Sequence, residues 1–119
     1  MPQKGSRSHK ILIVEDDPIA GKLMAALLRA WNHQVTVVPT VHEGLGALRG
    51  NTHVILDLML PDGIGIRILQ ELHRQGAPTR VAVVSGEKGP ILQEAAQFRP
   101  DLIMHKPINI NELLSWLSQ

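Results

Sequence analysis

"ILIVEDDPIAGKL", residues 11–23, decides the fold. Four branched apolar residues run into three acids, Glu15, Asp16 and Asp17, and Pro18 then opens a segment of helical spacing. A short continuous apolar run reads as a strand buried on both faces, the kind found in parallel sheets. Proline suits the first turn of a helix, where its missing N–H costs nothing. The first unit is therefore strand, acidic turn, helix. Asp17 directly precedes the proline and is expected to be the N-cap, its carboxylate accepting backbone N–H bonds. Glu15 and Asp16 are left at the carboxyl end of the strand.

The alternation repeats along the chain. "PIAGKLMAALLRAWN" (18–32) carries Ile19, Leu23, Ala26, Leu27 and Ala30 at helical spacing, and "QVTVV" (34–38) is the second strand. "VHEGLGALR" (41–49) reads as a helix that Gly44 and Gly46 weaken by about 1 kcal/mol each relative to alanine. "HVILDL" (53–58) is the third strand, and "LPDG" (60–63) is a turn. "IGIRILQELHRQ" (64–75) follows as a helix with Ile64, Ile68, Leu69 and Leu72 inward; Asp62 and Gly63 are expected to make the turn that starts it. "RVAVVS" (80–85), "PILQEAAQF" (90–98), "DLIMHK" (101–106) and "NINELLSWLS" (109–118) complete the series as strand, helix, strand and helix. The last helix has a stripe of Ile110, Leu113, Leu114 and Leu117, a partly exposed or core-packed Trp116, and capping-box spacing between Asn109 and Glu112. Five strands alternating with five helices predict an α/β fold with a five-stranded parallel sheet and, through right-handed crossovers, helices on both faces.

Composition bounds the function. The 119 residues make one domain, with 44% hydrophobic residues but only Trp31, Phe98 and Trp116 aromatic, so the core rests on aliphatic side chains. Net charge of +1 argues against electrostatic binding of nucleic acid. The absence of cysteine removes thiolate metal sites and thiol catalysis. No apolar run approaches the roughly 20 residues of a membrane span, and "MPQKGSRSHK" lacks the apolar core of a secretory signal, so a cytoplasmic protein is expected. Residues 1–9 read as a flexible leader and 10–119 as the domain.

Ligands of parallel α/β sheets bind outside the carboxyl ends of the strands. Glu15, Asp16, Asp57, Ser85 and Lys106 all fall at such ends. Crowded carboxylates are relieved by a cation, and an all-oxygen donor set favours Mg²⁺ or Mn²⁺ over Zn²⁺. A lysine and a hydroxyl beside them suit a phosphoryl group, so the chemistry suggested is phosphoryl transfer to a carboxylate. The histidines at 9, 33, 42, 53, 73 and 105 show no metal-ligand spacing. If Lys106 points to the site, alternation turns His105 away.

Together, "ILIVEDD", "ILDLMLPDGIG", "VVSG" and "HKP" resemble the receiver domain of two-component response regulators over about residues 10–118. The resemblance implies a flavodoxin-like (CheY-like) fold with Asp57 as phosphoacceptor. It implies Asp16 as a direct Mg²⁺ ligand, Glu15 acting mainly through water, and Asp57 and the Met59 carbonyl completing the protein's share. It implies contact of Ser85 and Lys106 with the phosphoryl group, a cis bond before Pro107, and a sensor histidine kinase or histidine phosphotransfer protein as donor. A downstream protein target, an output domain elsewhere, or a homodimer would receive the signal. The chain stops one helix after the fifth strand, as expected of a single-domain regulator or of a piece of a larger one.

Some positions depart from the family. Ile103 stands where many receivers carry Tyr or Phe, Gly86 where Ala is common, and "RPD" (99–101) replaces a Gly-Ala turn. Met59 and Glu87 occupy positions that, by the resemblance, influence phosphoryl lifetime in that family. Ile103 supports the alternative of a phosphorylation-independent interaction module on the same fold. A flavin-binding flavodoxin would need a phosphate loop where "EDDP" stands, and a haloacid-dehalogenase-type phosphatase would need Asp-x-Asp after the first strand.

Overall fold

The computed structural model describes residues 8–86 and 89–119. In chain order the elements are β1 (Lys10–Val14), α1 (Pro18–Ala30), β2 (Gln34–Val38), α2 (Val41–Ala47), β3 (His53–Asp57), β4 (Met59–Leu60), β5 (Gly63–Ile64), α3 (Ile66–Gln75), β6 (Arg80–Ser85), α4 (Pro90–Ala96), β7 (Leu102–His105) and α5 (Ile110–Leu117). The main sheet has the order β2-β1-β3-β6-β7, with every neighbouring pair parallel. This is the expected flavodoxin-like arrangement.

Strand alternation divides the core in two. Leu12, Val14, Val54, Leu56, Val81 and Val83 face Val41, Ile68, Leu69, Leu72 and Ala95 from α2, α3 and α4. Ile11, Ile13, Ile55, Ala82, Val84 and Met104 face Met24, Ala25, Leu28, Leu113, Trp116 and Leu117 from α1 and α5. All four residues of "ILIV" are fully buried. At roughly 1.5–3 kcal/mol per large aliphatic side chain, this strand alone anchors much of the sheet.

Three helix faces differ from expectation. α1 buries Gly21, Met24, Ala25 and Leu28, while Ile19 and Leu23 are 70% and 68% exposed. The helix is apolar on more than one side, and its phase follows the close approach of Gly21, where an added Cβ would lie 3.1 Å from Val37. Ile64 is exposed because residues 59–60 and 63–64 pair as an antiparallel hairpin, so α3 starts at Ile66 with Gly65 as N-cap. Asp62 caps a different helix: its carboxylate accepts the Val41 and His42 N–H groups at 2.8 and 3.0 Å, at the start of α2. Those two bonds hold its pKa below the usual carboxylate value. In α5 the buried stripe is Leu113, Trp116 and Leu117, with Ile110 exposed and Leu114 half-buried.

Asp17 caps α1 as expected: its Oδ1 accepts from the Ile19 N–H at 3.0 Å and the Ala20 N–H at 3.4 Å. Asparagine caps about as well as aspartate, whereas alanine forfeits about 1 kcal/mol. Asp17→Asn should therefore leave the urea midpoint nearly unchanged, and Asp17→Ala should lower it by about 0.3–1 M, that free energy divided by an m-value of about 1–3 kcal/mol/M. Equal loss in both variants would contradict the capping role.

Candidate functional site

The parallel register brings the carboxyl ends together. Val14 pairs with Leu56, so Glu15 and Asp57 leave adjacent strands side by side. Asp57 pairs with Val84, and Ser85 pairs with His105, one residue before Lys106. The Lys106 N–H donates to the Ser85 carbonyl at 3.0 Å. Glu15, Asp57 and Ser85 are buried; Asp16 is exposed.

Lys106 Nζ donates to Asp57 Oδ2 at 2.8 Å and lies 3.3 Å from Glu15 Oε1. Asp57 Oδ1 accepts from the Met59 N–H at 3.1 Å, and Glu15 Oε2 accepts from the Asp17 N–H at 3.2 Å. Burial raises the Glu15 pKa; the Asp17 N–H and Lys106 oppose this, and Asp57 adds to it. Burial by itself would lower the Lys106 pKa, but the hydrogen bond and charge of Asp57, with Glu15 behind, outweigh it and raise it. One ammonium thus serves two buried carboxylates, and the third acid stands at the solvent edge.

Carboxylate oxygens of Glu15, Asp16 and Asp57 lie within 4.8 Å of one another. A hard, oxygen-only cluster of this size fits Mg²⁺ or Mn²⁺, which take one or two carboxylates and keep several waters. The Met59 main chain runs beside Asp57, as its N–H bond shows, and the Met59 side chain is exposed. The Lys106–Pro107 bond is cis. His105 is exposed, and Ile103 is half-buried against the cluster that includes Val83. Glu87 lies outside the described residues.

Sequence reasoning missed Gly65. A Cβ there would lie 2.5 Å from the Asp57 carbonyl oxygen and 2.9 Å from Leu56 Cδ1. Its N–H donates to the Leu58 carbonyl at 2.8 Å, closing the hairpin over the end of β3. The "GIG" in the quoted motif was the available signal, though nothing in it named which glycine met the strand. Also unforeseen was an apolar groove of about 460 Å³ beside the acids. Leu23, Met24 and Leu27 of α1 line it with Pro107, Ile108 and Ile110, and Glu15, Asp17 and Lys106 border the same space.

Fold and site together define a flavodoxin-like α/β domain with an acidic, lysine-bearing carboxyl edge. The family model described as the response regulator receiver domain matches residues 11–118, and the chain belongs to that family. It is 31% identical over 112 residues to the transcriptional regulatory protein TcrA of Mycobacterium tuberculosis, covering 91% of this chain and 44% of that protein. The chain thus spans under half the length of that relative. A CheY-like receiver domain protein from Methanospirillum hungatei has a TM-score of 0.84 at 24% identity, covering 92% of this chain and 90% of the other. A CheY-like receiver domain from Methylobacillus flagellatus has a TM-score of 0.77 at 28% identity, covering 93% and 99%. No helix among the described residues is long and apolar enough to cross a membrane.

Proposed function

We propose that residues 10–119 act as a phosphoacceptor domain in which Asp57 takes a phosphoryl group from a phosphohistidine, with Mg²⁺ or Mn²⁺ bound at Glu15, Asp16, Asp57 and the Met59 carbonyl. The observation that carries this reading is the contact of Lys106 with the Asp57 carboxylate inside a three-acid cluster. An Asp57 oxygen attacks phosphorus, the P–N bond breaks, and its electron pair leaves with the donor imidazole, which takes a proton from water. A metal held by these residues would supply charge neutralisation for the phosphoryl oxygens. Lys106, now held by Asp57, would turn to a phosphoryl oxygen, and the Ser85 hydroxyl would donate to another. Both shifts alter the contacts of β6 and β7 and give the signal its structural form.

The donor must cover the acidic edge to reach Asp57. The apolar groove lined by exposed Leu23 and Ile110 supports a protein donor, either a sensor histidine kinase or a histidine phosphotransfer protein. Such donors work in the cytoplasm. The output is a protein target or an attached domain, since the net charge of +1 gives no footprint for nucleic acid.

Intact-mass spectrometry after treatment with acetyl phosphate and Mg²⁺ tests the reading. One phosphoryl adduct is expected, absent without metal and absent in Asp57→Asn. No adduct, or an adduct that survives Asp57→Asn, would overturn it.

A further inference from the structure

The end of the sheet opposite the acids carries three of the six histidines. His9 precedes β1, His33 lies between α1 and β2, and His53 opens β3. The His9 ring stacks on that of His33 and meets that of His53 at a 43° tilt. His9 and His33 have centroids 5.1 Å apart with planes 6° from parallel, and His9 and His53 have centroids 4.2 Å apart. His53 in turn meets Trp116 of α5 edge-on at 5.1 Å.

Hydrogen bonds assign the protons. The His9 main-chain N–H donates to His33 Nδ1 at 3.0 Å, so that nitrogen must present a lone pair. Neutral His33 therefore carries its hydrogen on Nε2. His9 Nε2 lies 2.7 Å from the Leu117 carbonyl, which can only accept, so His9 Nε2 carries a hydrogen. A proton added to His33 can go only to Nδ1. There it would turn an acceptor into a donor facing another donor.

We propose that the cluster of His9, His33 and His53 is a proton-operated latch, which fastens His9, just before β1, to the α1–β2 turn and to the last turn of α5 and opens when His33 is protonated.

The surroundings favour opening on protonation. The described charged groups acting on His53 are His9, His33, Arg80 of β6 and Asp101 before β7. Asp101 already accepts the Val81 N–H at 2.6 Å and pairs with Arg80 at 3.8 Å. Arg80 also covers Trp116, 5.5 Å from its ring centre. Lys10 alternates to the other face of the sheet, its ammonium near Gly50, and Arg29 of α1 donates to the Val35 carbonyl. The described charge bearing on His33 is that of His9, while Arg80 and His33 bear on His53 behind it. Burial, and then the charge of His9, hold the His33 pKa below its usual value. The latch acts on the C-terminal end of α5, whose first residue, Ile110, lines the groove beside the acids.

NMR on the full chain from about pH 7.5 to about pH 4, a range carried well below the ordinary histidine pKa of about 6.5 because that of His33 is lowered, tests the latch. At the upper end His33 should show hydrogen on Nε2 only, and the His9 amide should be protected from exchange. At the lower end that protection should be lost while the Ile55 amide in β3 stays protected. His33→Asn places an amide oxygen where Nδ1 was, accepts the same bond and does not titrate. It should keep the His9 amide protected throughout. Three results would overturn the proposal: a His9 amide protected at both ends in the wild type, hydrogen on His33 Nδ1 at the upper end, or loss of the Ile55 and His9 amides in step, which is global unfolding. The wild-type titration decides the matter even if the variant does not fold.

Discussion

Gly65→Ala is expected to destabilise the domain by about 1–3 kcal/mol, the cost of overpacking a closed site, and to slow the proposed phosphoryl uptake at Asp57. The added methyl would lie 2.5 Å from the Asp57 carbonyl oxygen and 2.9 Å from Leu56 Cδ1. The carbonyl cannot retreat freely, because β3 is paired on both sides, with β1 and with β6. Either the β4–β5 hairpin lifts or the Asp57 backbone turns. Both outcomes move the carboxylate relative to Lys106, and sites of this kind tolerate only about 0.5 Å of displacement. Gly46→Ala is the matched control. It lies within α2, and nothing is within 4 Å of its added methyl, so it should stabilise the helix by up to about 1 kcal/mol. Urea denaturation together with the rate of the acetyl phosphate mass gain checks both. A Gly65→Ala protein with wild-type midpoint and rate would show that the close approach does not constrain the site.

The site was more legible than the faces that support it. Glu15, Asp16, Asp57, Ser85 and Lys106 could be located because buried parallel strands announce themselves as short apolar runs, and the chemistry gathers where those runs stop. Register then followed from topology. The phase of α1 was not legible. Ile19 and Leu23 make as good an apolar stripe as Met24 and Leu28, and only the close packing of Gly21 on Val37 chooses between them. Leu23, left on the solvent side, lines the groove beside the acids, so part of the misread stripe supports the case for a protein donor. Gly65 and Asp62 were obscure for a related reason. One meets a strand carbonyl eight residues back, and the other caps a helix 21 residues earlier, and neither partner shares a local pattern with it. The histidine cluster escaped notice because separations of 20 and 24 residues match no ligand motif; parallel pairing alone brings them together.

Lowering the pH from about 6.5 to about 4 is expected to remove about 3 kcal/mol of stability through His53 alone. His53 is 4% exposed, and its pKa is lowered to about 4, first by burial and then by His9, Arg80 and His33, against a smaller opposing effect of Asp101. The unfolded chain binds this proton at the ordinary value of about 6.5, so between the two values the unfolded state holds a proton that the folded state refuses. Stability is therefore complete above about pH 6.5, falls as the pH drops through the window, and levels off below about 4. Each unit of difference is worth 1.36 kcal/mol, which gives the size. Typical domains have about 5–15 kcal/mol in all, so the loss is a large share of the total. Glu15 acts in the opposite direction: its raised pKa means that the folded state takes up a proton first, and this partly offsets the loss. His53→Leu keeps an apolar side chain against Trp116 and removes the titration. Its urea midpoint should vary much less with pH than that of the wild type, and the remaining slope should shrink further when His33→Asn is added. A slope unchanged by His53→Leu would assign the acid sensitivity to other groups and make His53 a passive part of the core.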